Sequence, residues 1–229
     1  MMKRISIILS VLLLLALLCS CDTGSVLNPN EPGTLDKGSV DQPLTMEAIK
    51  SEIGKYDTSA FAESDTVTEY VRISVRDHGD IVIRLCPSFA PITVENFQKL
   101  VKEGFYDGLV FHRIIQNFMI QGGGFDQSGA QQKPSAIKGE FSANGVDNDL
   151  LHVRGVISMA RTSVMDSATS QFFICDATSP HLDGQYAAFG YVLAGMETVD
   201  SIAAVKTGYS NAPLTPVVIE SVTFVNPIE

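Results

Sequence analysis

Apolar and polar residues alternate in two neighbouring stretches of the chain, 70–75 and 81–85. The residues that carry this pattern are Tyr70, Ile73 and Val75 in the first stretch and Ile81, Ile83 and Leu85 in the second. Such alternation is typical of strands with one buried face. Between them, residues 77–80 read Asp-His-Gly-Asp, which has the chemistry of a hairpin turn. The pattern therefore predicts two antiparallel strands at the start of a folded domain.

A helix is predicted after this hairpin, because apolar residues then recur at helical spacing. Pro91 suits the first turn of this helix, and Gly104 ends it. Further strands are predicted at 110–115, 118–121, 155–160, 171–175 and 189–192, followed by a second helix at 196–205 and a last strand at 217–224. Many short strands with two helices predict a mainly β fold, a closed barrel with helices over its ends.

The N-terminus has the pattern of an export signal. Lys3 and Arg4 precede an apolar run, residues 5–18, which is too short to span a bilayer comfortably. The following Leu-Cys-Ser-Cys, residues 18–21, resembles a bacterial lipobox, which makes Cys21 the expected lipidation site. An ordinary cleaved secretion signal and an uncleaved anchor helix are the alternatives. All three place the domain outside the cytoplasm, at the cell envelope if the lipid anchor is present.

Residues 22–68 are polar, acidic and rich in Gly, Pro, Asn and Ser, a composition typical of a flexible tether. Within this segment, residues 45–53 could form a short helix with Thr45 as its N-cap. A helix that forms only transiently in a linker is the alternative. The predicted organisation is a signal peptide at 1–21, an acidic tether at 22–68 and one domain at 69–229.

Composition narrows the classes of partner and cofactor. The formal net charge is −10, and no Lys/Arg cluster is interleaved with aromatic residues, so nucleic-acid binding is not expected. The four histidines share no metal-ligand spacing, and no metal or other cofactor is expected. In the domain, Cys86 and Cys175 are expected to be buried free thiols, with a disulfide as the alternative.

The segment 111–123, FHRIIQNFMIQGG, resembles the signature of the cyclophilins. Collinear similarity continues through GVISMART at 155–162, DSATSQFFI at 166–174, and Leu-Asp-Gly at 182–184 followed by Phe-Gly at 189–190. The similarity covers roughly residues 69–226. It implies an eight-stranded antiparallel barrel capped by two α-helices. It also implies peptidyl-prolyl cis/trans isomerase activity on proline-containing polypeptides, and a protein that is a monomer.

The resemblance also implies a set of site residues. Arg113 and Gln121 are the expected catalytic pair, in which Arg113 is the cation and Gln121 positions it. The expected substrate-binding residues are Phe118, Met119, Ala160, Arg161, Gln171, Phe173, Leu182 and Tyr186. His112 follows strand alternation to the opposite face and is expected to be structural. The glycines 122–124 lack a following Gly-Lys-Ser/Thr, so a tight barrel turn is expected there rather than a phosphate loop.

Two positions depart from the pattern of many eukaryotic cyclophilins, which have Trp at the place of His181 and His at the place of Tyr186. The first change predicts weak inhibition by cyclosporin. The leading hypothesis is an isomerase that assists the folding of exported proteins. The rival hypothesis is a chaperone or surface receptor that binds proline-containing segments with incidental turnover. A surface adhesin that uses the acidic tether has no motif to support it.

Overall fold

The computed structural model describes residues 44–228, in which nine strands and three α-helices are formed. The strands are β1 (Phe61–Glu63), β2 (Tyr70–Val75), β3 (Gly79–Leu85), β4 (Leu109–Ile115), β5 (Met119–Asp126), β6 (Val156–Met159), β7 (Phe172–Cys175), β8 (Ala188–Ala194) and β9 (Val217–Pro227). The helices are α1 (Met46–Glu52), α2 (Pro91–Lys102) and α3 (Met196–Ala203). The predicted signal peptide, Cys21 and the first part of the predicted tether, residues 22–43, lie outside the described residues.

Strands β2 to β9 close into a barrel of eight antiparallel strands, as the resemblance implies. The order around it is β9-β2-β3-β8-β6-β7-β5-β4, and β4 pairs again with β9 to close it. The predicted hairpin is confirmed, since Val75 pairs with Gly79 and Asp77 adopts a φ of 62° between them. Along β2, burial alternates strictly, with Val71, Ile73 and Val75 buried. Tyr70, which the pattern grouped with Ile73 and Val75, is half-buried on the opposite face.

Both predicted helices are confirmed, and both pack on the barrel core. From α2, Phe97 places its ring 5.1 Å from Tyr106, 5.9 Å from Phe172 and 5.3 Å from Phe189, measured between centroids. From α3, Val199 and Ile202 are fully buried in the same cluster. The apolar faces of the two amphipathic helices thus join the apolar interior of the barrel.

Part of the predicted tether is folded. Residues 44–63, which we call the N-terminal arm, contain α1 and β1, and β1 extends the sheet by pairing with β9. Three apolar side chains of the arm are buried against the outside of the barrel, Ile49 (0% exposed), Tyr56 (8%) and Phe61 (3%). They are too widely spaced among polar residues to produce a periodic signal, and for this reason the composition resembles that of a linker.

Polar contacts also attach the N-terminal arm. Arg72 of β2 donates through Nη2 to the carbonyl oxygens of Thr58 (3.2 Å) and Phe61 (2.6 Å). Glu52 of α1 accepts a hydrogen bond from the hydroxyl of Tyr191 and lies 3.4 Å from Nη1 of Arg84. Thr45 caps α1 by accepting from the backbone N–H of Ala48, at 3.3 Å. These contacts attach both α1 and the segment before β1 to the barrel.

Cys86 and Cys175 are free and buried, as predicted. Burial raises the pKa of each thiol to about 12, so both stay protonated at neutral pH. No helix within residues 44–228 is long and apolar enough to cross a membrane.

The N-terminus of α2 is capped by a residue distant in sequence. Ala90, the N-cap residue, has no side chain that could cap it. Instead Glu140, only 2% exposed, accepts from the backbone N–H of Ile92 (3.0 Å) and from both the N–H and the hydroxyl of Thr93 (2.7 Å each). A carboxylate at this end of a helix satisfies free N–H groups and opposes the helix dipole.

We expect Glu140→Ala to lower the free energy of unfolding by about 2–3 kcal/mol, because the two buried donors of Thr93 and the part-buried N–H of Ile92 lose their acceptor. Glu140→Gln keeps one acceptor oxygen but removes the charge, so it should lower the free energy of unfolding by about half as much. Urea unfolding followed by circular dichroism measures both values. Glu95→Gln, an exposed substitution on the same helix, is the control and should change little. Equal stability of Glu140→Ala and the control would contradict this role.

Candidate active site

All the predicted catalytic and substrate-binding residues in the domain except Gln171 line one cavity of about 140 Å³. These are Arg113, Phe118, Met119, Gln121, Ala160, Arg161, Phe173, Leu182 and Tyr186. Gln171 lies beside them, where its Oε1 accepts a hydrogen bond from Nε2 of Gln121 at 3.1 Å. The structure thus brings together residues that are separated by up to 73 positions in the chain, as the numbers of Arg113 and Tyr186 show.

Strand pairing positions the central row of this site. Arg113 on β4 is the direct partner of Gln121 on β5, and Gln121 is the partner of Phe173 on β7. Directly paired residues of antiparallel strands project from the same face of a sheet. The register of the barrel strands therefore places the side chains of Arg113, Gln121 and Phe173 next to one another.

The guanidinium of Arg113 is held by neutral groups. Its Nη1 donates to Oε1 of Gln121 at 3.2 Å and lies 3.9 Å from the sulfur of Met119. Within residues 44–228, no carboxylate oxygen lies within 4.0 Å of it. A permanent cation without a counter-ion is available to a polar group that enters the cavity.

The remaining wall of the cavity is apolar. Met119 (2% exposed), Phe173 (5%) and Leu182 (7%) form a small cluster of buried side chains. Phe118, Ala160 and Tyr186 pack against this cluster and are partly exposed. His181 extends the rim, with its ring centroid 5.4 Å from that of Phe118. An apolar pocket beside a cation is suited to a ligand with an apolar ring next to a polar group.

His112 lies outside this cavity, as strand alternation predicts. Its ring packs 4.6 Å from that of Phe125, in a separate cleft. Burial, and secondarily the charge of Arg113, lower the pKa of His112 to about 4. The imidazole is therefore neutral at pH 7 and does not exchange protons with the site.

The glycines 122–124 are interior residues of β5 rather than the tight turn expected from the sequence. A Cβ at Gly124 would lie 2.3 Å from Cγ of Gln171. At Gly123, where φ is +78°, a Cβ would lie 2.9 Å from the ring of Phe172. These glycines allow neighbouring side chains to approach the strand backbone, a role that the sequence alone does not distinguish from a turn.

Arg161 lines the cavity, and each of its three guanidinium nitrogens donates to a backbone carbonyl. Its Nε and Nη2 donate to the carbonyl of Gln185, at 3.0 and 2.9 Å, and its Nη1 donates to the carbonyl of Thr162 at 2.9 Å. Its Cζ lies 4.9 Å from the ring centroid of Phe141 and 4.7 Å from that of Tyr186. Arg161 therefore fixes the rim of the cavity through hydrogen bonds and cation–π contacts.

A buried polar layer that the sequence analysis does not identify supports the apolar wall. The Nδ1 of His152 lies 3.0 Å from Oδ1 of Asp183, which also accepts from the backbone N–H of His152 at 2.7 Å. The Nε2 of His152 lies 3.0 Å from the hydroxyl of Ser158. The His152 ring stacks on Phe173, with centroids 6.0 Å apart and planes 18° apart. His152, Ser158 and Asp183 share no sequence motif, so only the tertiary structure shows that they form this layer.

This layer has the composition of a Ser-His-Asp triad but not its function. Ser158 is fully buried and His152 is 1% exposed, so no substrate atom can reach the hydroxyl. Burial lowers the pKa of His152, which keeps the imidazole neutral at pH 7. The layer instead positions Phe173 from behind and holds Asp183, the neighbour of Leu182.

We expect His152→Gln to lower kcat/KM for an X-Pro peptide by about tenfold, because Phe173 loses its stacked support. The substitution should also reduce the loss of stability between pH 7 and pH 5. A His whose folded pKa is lowered favours folding above its unfolded pKa of about 6.5, and this contribution is lost as pH falls. The matched control is His112→Gln, which removes a half-buried imidazole that also has a lowered pKa but should leave kcat/KM unchanged. Equal activities for the two variants would contradict a positioning role.

The turn that carries Phe118 has its own anchor. Asn117 adopts a φ of 60°, and its N–H donates to Oδ2 of Asp176 at 2.6 Å. The backbone N–H of Asp176 donates in return to the carbonyl of Phe118 at 3.0 Å. Asp176 is itself held by Arg154, at 3.2 Å. These bonds fix the edge of the cavity where β4 turns into β5.

Comparison with known proteins agrees with this geometry. Residues 70–224 match the family model described as "Cyclophilin type peptidyl-prolyl cis-trans isomerase/CLD". Peptidyl-prolyl cis-trans isomerase A of Dickeya dadantii is 47% identical over 153 residues, covering 62% of this chain and 78% of the relative. Peptidyl-prolyl cis-trans isomerase B of Escherichia coli is 43% identical over 159 residues, covering 64% and 94% respectively.

Solved structures show the same fold. A cyclophilin-type peptidyl-prolyl cis-trans isomerase of Cryptosporidium parvum, crystallised in the presence of the dipeptide Ala-Pro, aligns with a TM-score of 0.58 at 29% identity. The alignment covers 67% of this chain and 97% of that structure. The match of the family model, the identity with bacterial relatives and the closed eight-stranded barrel all lead to one conclusion. The chain belongs to the family of cyclophilin-type peptidyl-prolyl cis-trans isomerases.

Proposed function

We propose that this protein accelerates cis/trans rotation about X-Pro bonds in exported polypeptides and so assists their folding at the cell envelope. The observation that carries the proposal is Arg113, a cation held by Gln121 beside an apolar pocket, with no ion pair among the described residues. The activity follows from the family and from this site. The location outside the cytoplasm and the lipid anchor are supported by the sequence of residues 1–21.

The chemistry requires no nucleophile. Resonance across the amide gives the C–N bond partial double-bond character, and rotation about it is slow for this reason. As the bond twists, the proline nitrogen pyramidalises and becomes a better acceptor, so a donor placed there stabilises the transition state more than the ground state. The fork of Arg113 can donate to this nitrogen or to the neighbouring carbonyl oxygen.

The pocket performs the second part of the task. Met119, Phe173 and Leu182 offer an apolar surface on which a proline ring can be held while the other side of the bond rotates. Gln121 orients Arg113 and is itself oriented by Gln171. A rate gain of about a thousandfold requires roughly 4 kcal/mol of preferential transition-state binding, which one preorganised cation in a dry site can supply.

The activity is tested with the chain from Asp22 onward, which retains every described residue. A short X-Pro peptide is equilibrated with the protein, and the exchange rate between its cis and trans forms is measured by NMR. Acceleration above the rate in solvent supports the isomerase. If the peptide binds in the pocket and shifts the Phe173 and Tyr186 signals without acceleration, the rival binding-module function replaces the proposal.

The lipid anchor is tested separately, in cells that express the full chain. Labelling with an alkyne fatty acid should mark the wild type and the Cys19→Ser variant, and the label and membrane association should be lost from Cys21→Ser. The two cysteines are separated by one residue, so Cys19→Ser is a matched control. Labelling of Cys21→Ser at the wild-type level would overturn the assignment of the anchor.

A further inference from the structure

Two apolar side chains that are adjacent in sequence are exposed to solvent on the loop that follows Arg161, a residue of the cavity lining. Val164 is 63% exposed and Met165 is 42% exposed. The other large apolar residues that are exposed within residues 44–228 do not neighbour one another in sequence; they are Val67, Ile92, Leu151, Tyr209, Leu214 and Ile228. Single exposed apolar residues are common on protein surfaces, whereas two consecutive ones on a loop that adjoins a binding site are a candidate interaction surface. We call Val164 and Met165 the apolar lip.

The loop that carries the apolar lip is closed at its base. The hydroxyl of Ser167 accepts from the N–H and the hydroxyl of Thr162, at 3.0 and 2.8 Å, and donates to the carbonyl of Val164 at 2.6 Å. Next to it, Oδ1 of Asp166 accepts from the N–H of Gly139 at 2.9 Å and from the amide of Asn144 at 2.7 Å. The apolar lip is therefore presented by an ordered loop, which lowers the entropy lost when a ligand binds to it.

Arg161 joins this loop to the rim of the cavity. One end of its guanidinium bonds the carbonyl of Thr162, at the base of the loop, and the rest bonds the carbonyl of Gln185, next to Tyr186 of the cavity wall. Consecutive Cα atoms are about 3.8 Å apart, so the Cα of Val164 lies no more than about 11 Å from that of Arg161. An extended peptide advances about 3.3 Å per residue and covers this distance in three to four residues.

The chemistry of this rim favours apolar ligands over acidic ones. Each of the three nitrogens of Arg161 donates to a backbone carbonyl, so three of its five N–H groups are used within the protein and its guanidinium is held in place on the rim. The chain carries a formal net charge of −10, which disfavours acidic segments in general. Val164 and Met165 supply apolar surface, and Met adapts to side chains of different shape.

We propose that the apolar lip is a second contact surface of the active site, which binds apolar side chains of an unfolded polypeptide a few residues away from the proline in the pocket. This inference rests on the proposed isomerase function and adds to it a preference for clients with exposed apolar residues, as in an unfolded exported protein. Short peptides that end before the apolar lip do not use it. Its contribution lies in substrate binding rather than in the rotation step.

The test uses three peptides with the same central X-Pro bond: a tetrapeptide, a twelve-residue peptide with Leu-rich flanks on both sides, and one with Ser-rich flanks. The protein is the chain from Asp22 onward, as wild type and as the double variant Val164→Ser/Met165→Ser. The matched control is Tyr209→Ser/Leu214→Ser, which removes two exposed apolar side chains from a loop that does not line the cavity.

For the wild type, we expect kcat/KM to be about fivefold higher for the Leu-flanked peptide than for the Ser-flanked peptide, from partial burial of the two side chains. In the Val164→Ser/Met165→Ser variant, this ratio should fall close to one because KM for the Leu-flanked peptide rises. Its kcat, and its rate with the tetrapeptide, should be unchanged. The control variant should keep the wild-type ratio. A ratio that the lip variant leaves unchanged, or that both variants lower equally, would overturn the proposal.

Failure of the isomerase function is distinguishable from failure of the apolar lip. The dissociation constants of the two long peptides, measured by fluorescence anisotropy, do not depend on turnover. A wild type that fails to accelerate even the tetrapeptide contradicts the proposed function. If such a protein still binds the Leu-flanked peptide more tightly, and loses this preference in the lip variant, the inference about the apolar lip is supported independently.

Discussion

Arg113→Ala is expected to lower kcat/KM for an X-Pro peptide by about 10²–10³-fold, equivalent to roughly 3–4 kcal/mol of transition-state stabilisation. Among residues 44–228, Arg113 is the cation of the cavity whose donors are not committed to a carboxylate or to backbone carbonyls, in contrast to Arg161. Loss of its fork leaves the twisting amide without a charged donor. The fall should appear mainly in kcat, because the apolar wall that binds the ring is intact.

The measurement compares NMR exchange rates of one peptide with wild type, Arg113→Ala and Arg113→Lys. Lysine keeps the charge but lacks the planar fork, so it should recover only part of the activity. Arg76→Ala is the control, since this exposed arginine forms a surface ion pair with Glu220 at 3.1 Å, away from the cavity. Circular dichroism and urea unfolding verify that each variant is folded. A folded Arg113→Ala with wild-type kcat/KM would exclude the mechanism proposed for this site.

Deletion of the N-terminal arm is expected to produce the largest loss of stability. A chain that begins at Thr66 lacks the buried side chains of Ile49, Tyr56 and Phe61 and exposes the core residues that they cover, Val82, Tyr191, Leu193 and Val225. Burial of each such side chain contributes about 1.5–3 kcal/mol, partly offset by the entropy of ordering the arm. The net loss of several kcal/mol is comparable with the whole stability of a typical domain.

Thermal and urea unfolding of chains that begin at Asp22 and at Thr66 measure this loss. Ile49→Ala, expected to cost about 2–5 kcal/mol, tests the same contact without a deletion. Lys50→Ala, on the exposed face of the same helix, is the control and should change little. If the shorter chain is as stable as the longer one, the N-terminal arm is a dispensable attachment. The result also decides which fragment is suitable for the activity assay.

Much of the barrel could be predicted from local patterns. The alternation in 70–75 and 81–85 identified β2 and β3, and the helical spacing after Pro91 identified α2. These predictions succeeded because burial of one face leaves a period of two or of 3.6 in the sequence itself. The thirteen residues 111–123 identified the family, since several specific residues occur there in fixed order. The predicted site residues in the domain were then found in or beside one cavity.

Other features depend on residues that meet only after folding. The N-terminal arm was assigned to a tether because a few apolar residues among polar ones have no periodicity, and its fold depends on the outer surface of the barrel. Glu140 caps a helix almost fifty residues away in sequence, and His152 supports Phe173 through Asp183 and Ser158. No local pattern indicates which distant group will satisfy a buried donor or acceptor.

The sequence by itself determined the eight strands of the barrel, the two helices that pack on its core and the family, and it predicts Arg113 as the catalytic cation. Only the tertiary structure decided that each guanidinium nitrogen of Arg161 donates to a backbone carbonyl, that the N-terminal arm belongs to the fold and that Val164 and Met165 are exposed to solvent. The reason is physical: periodicity records which face of an element is buried, whereas the partner of each side chain is set by barrel closure and strand register.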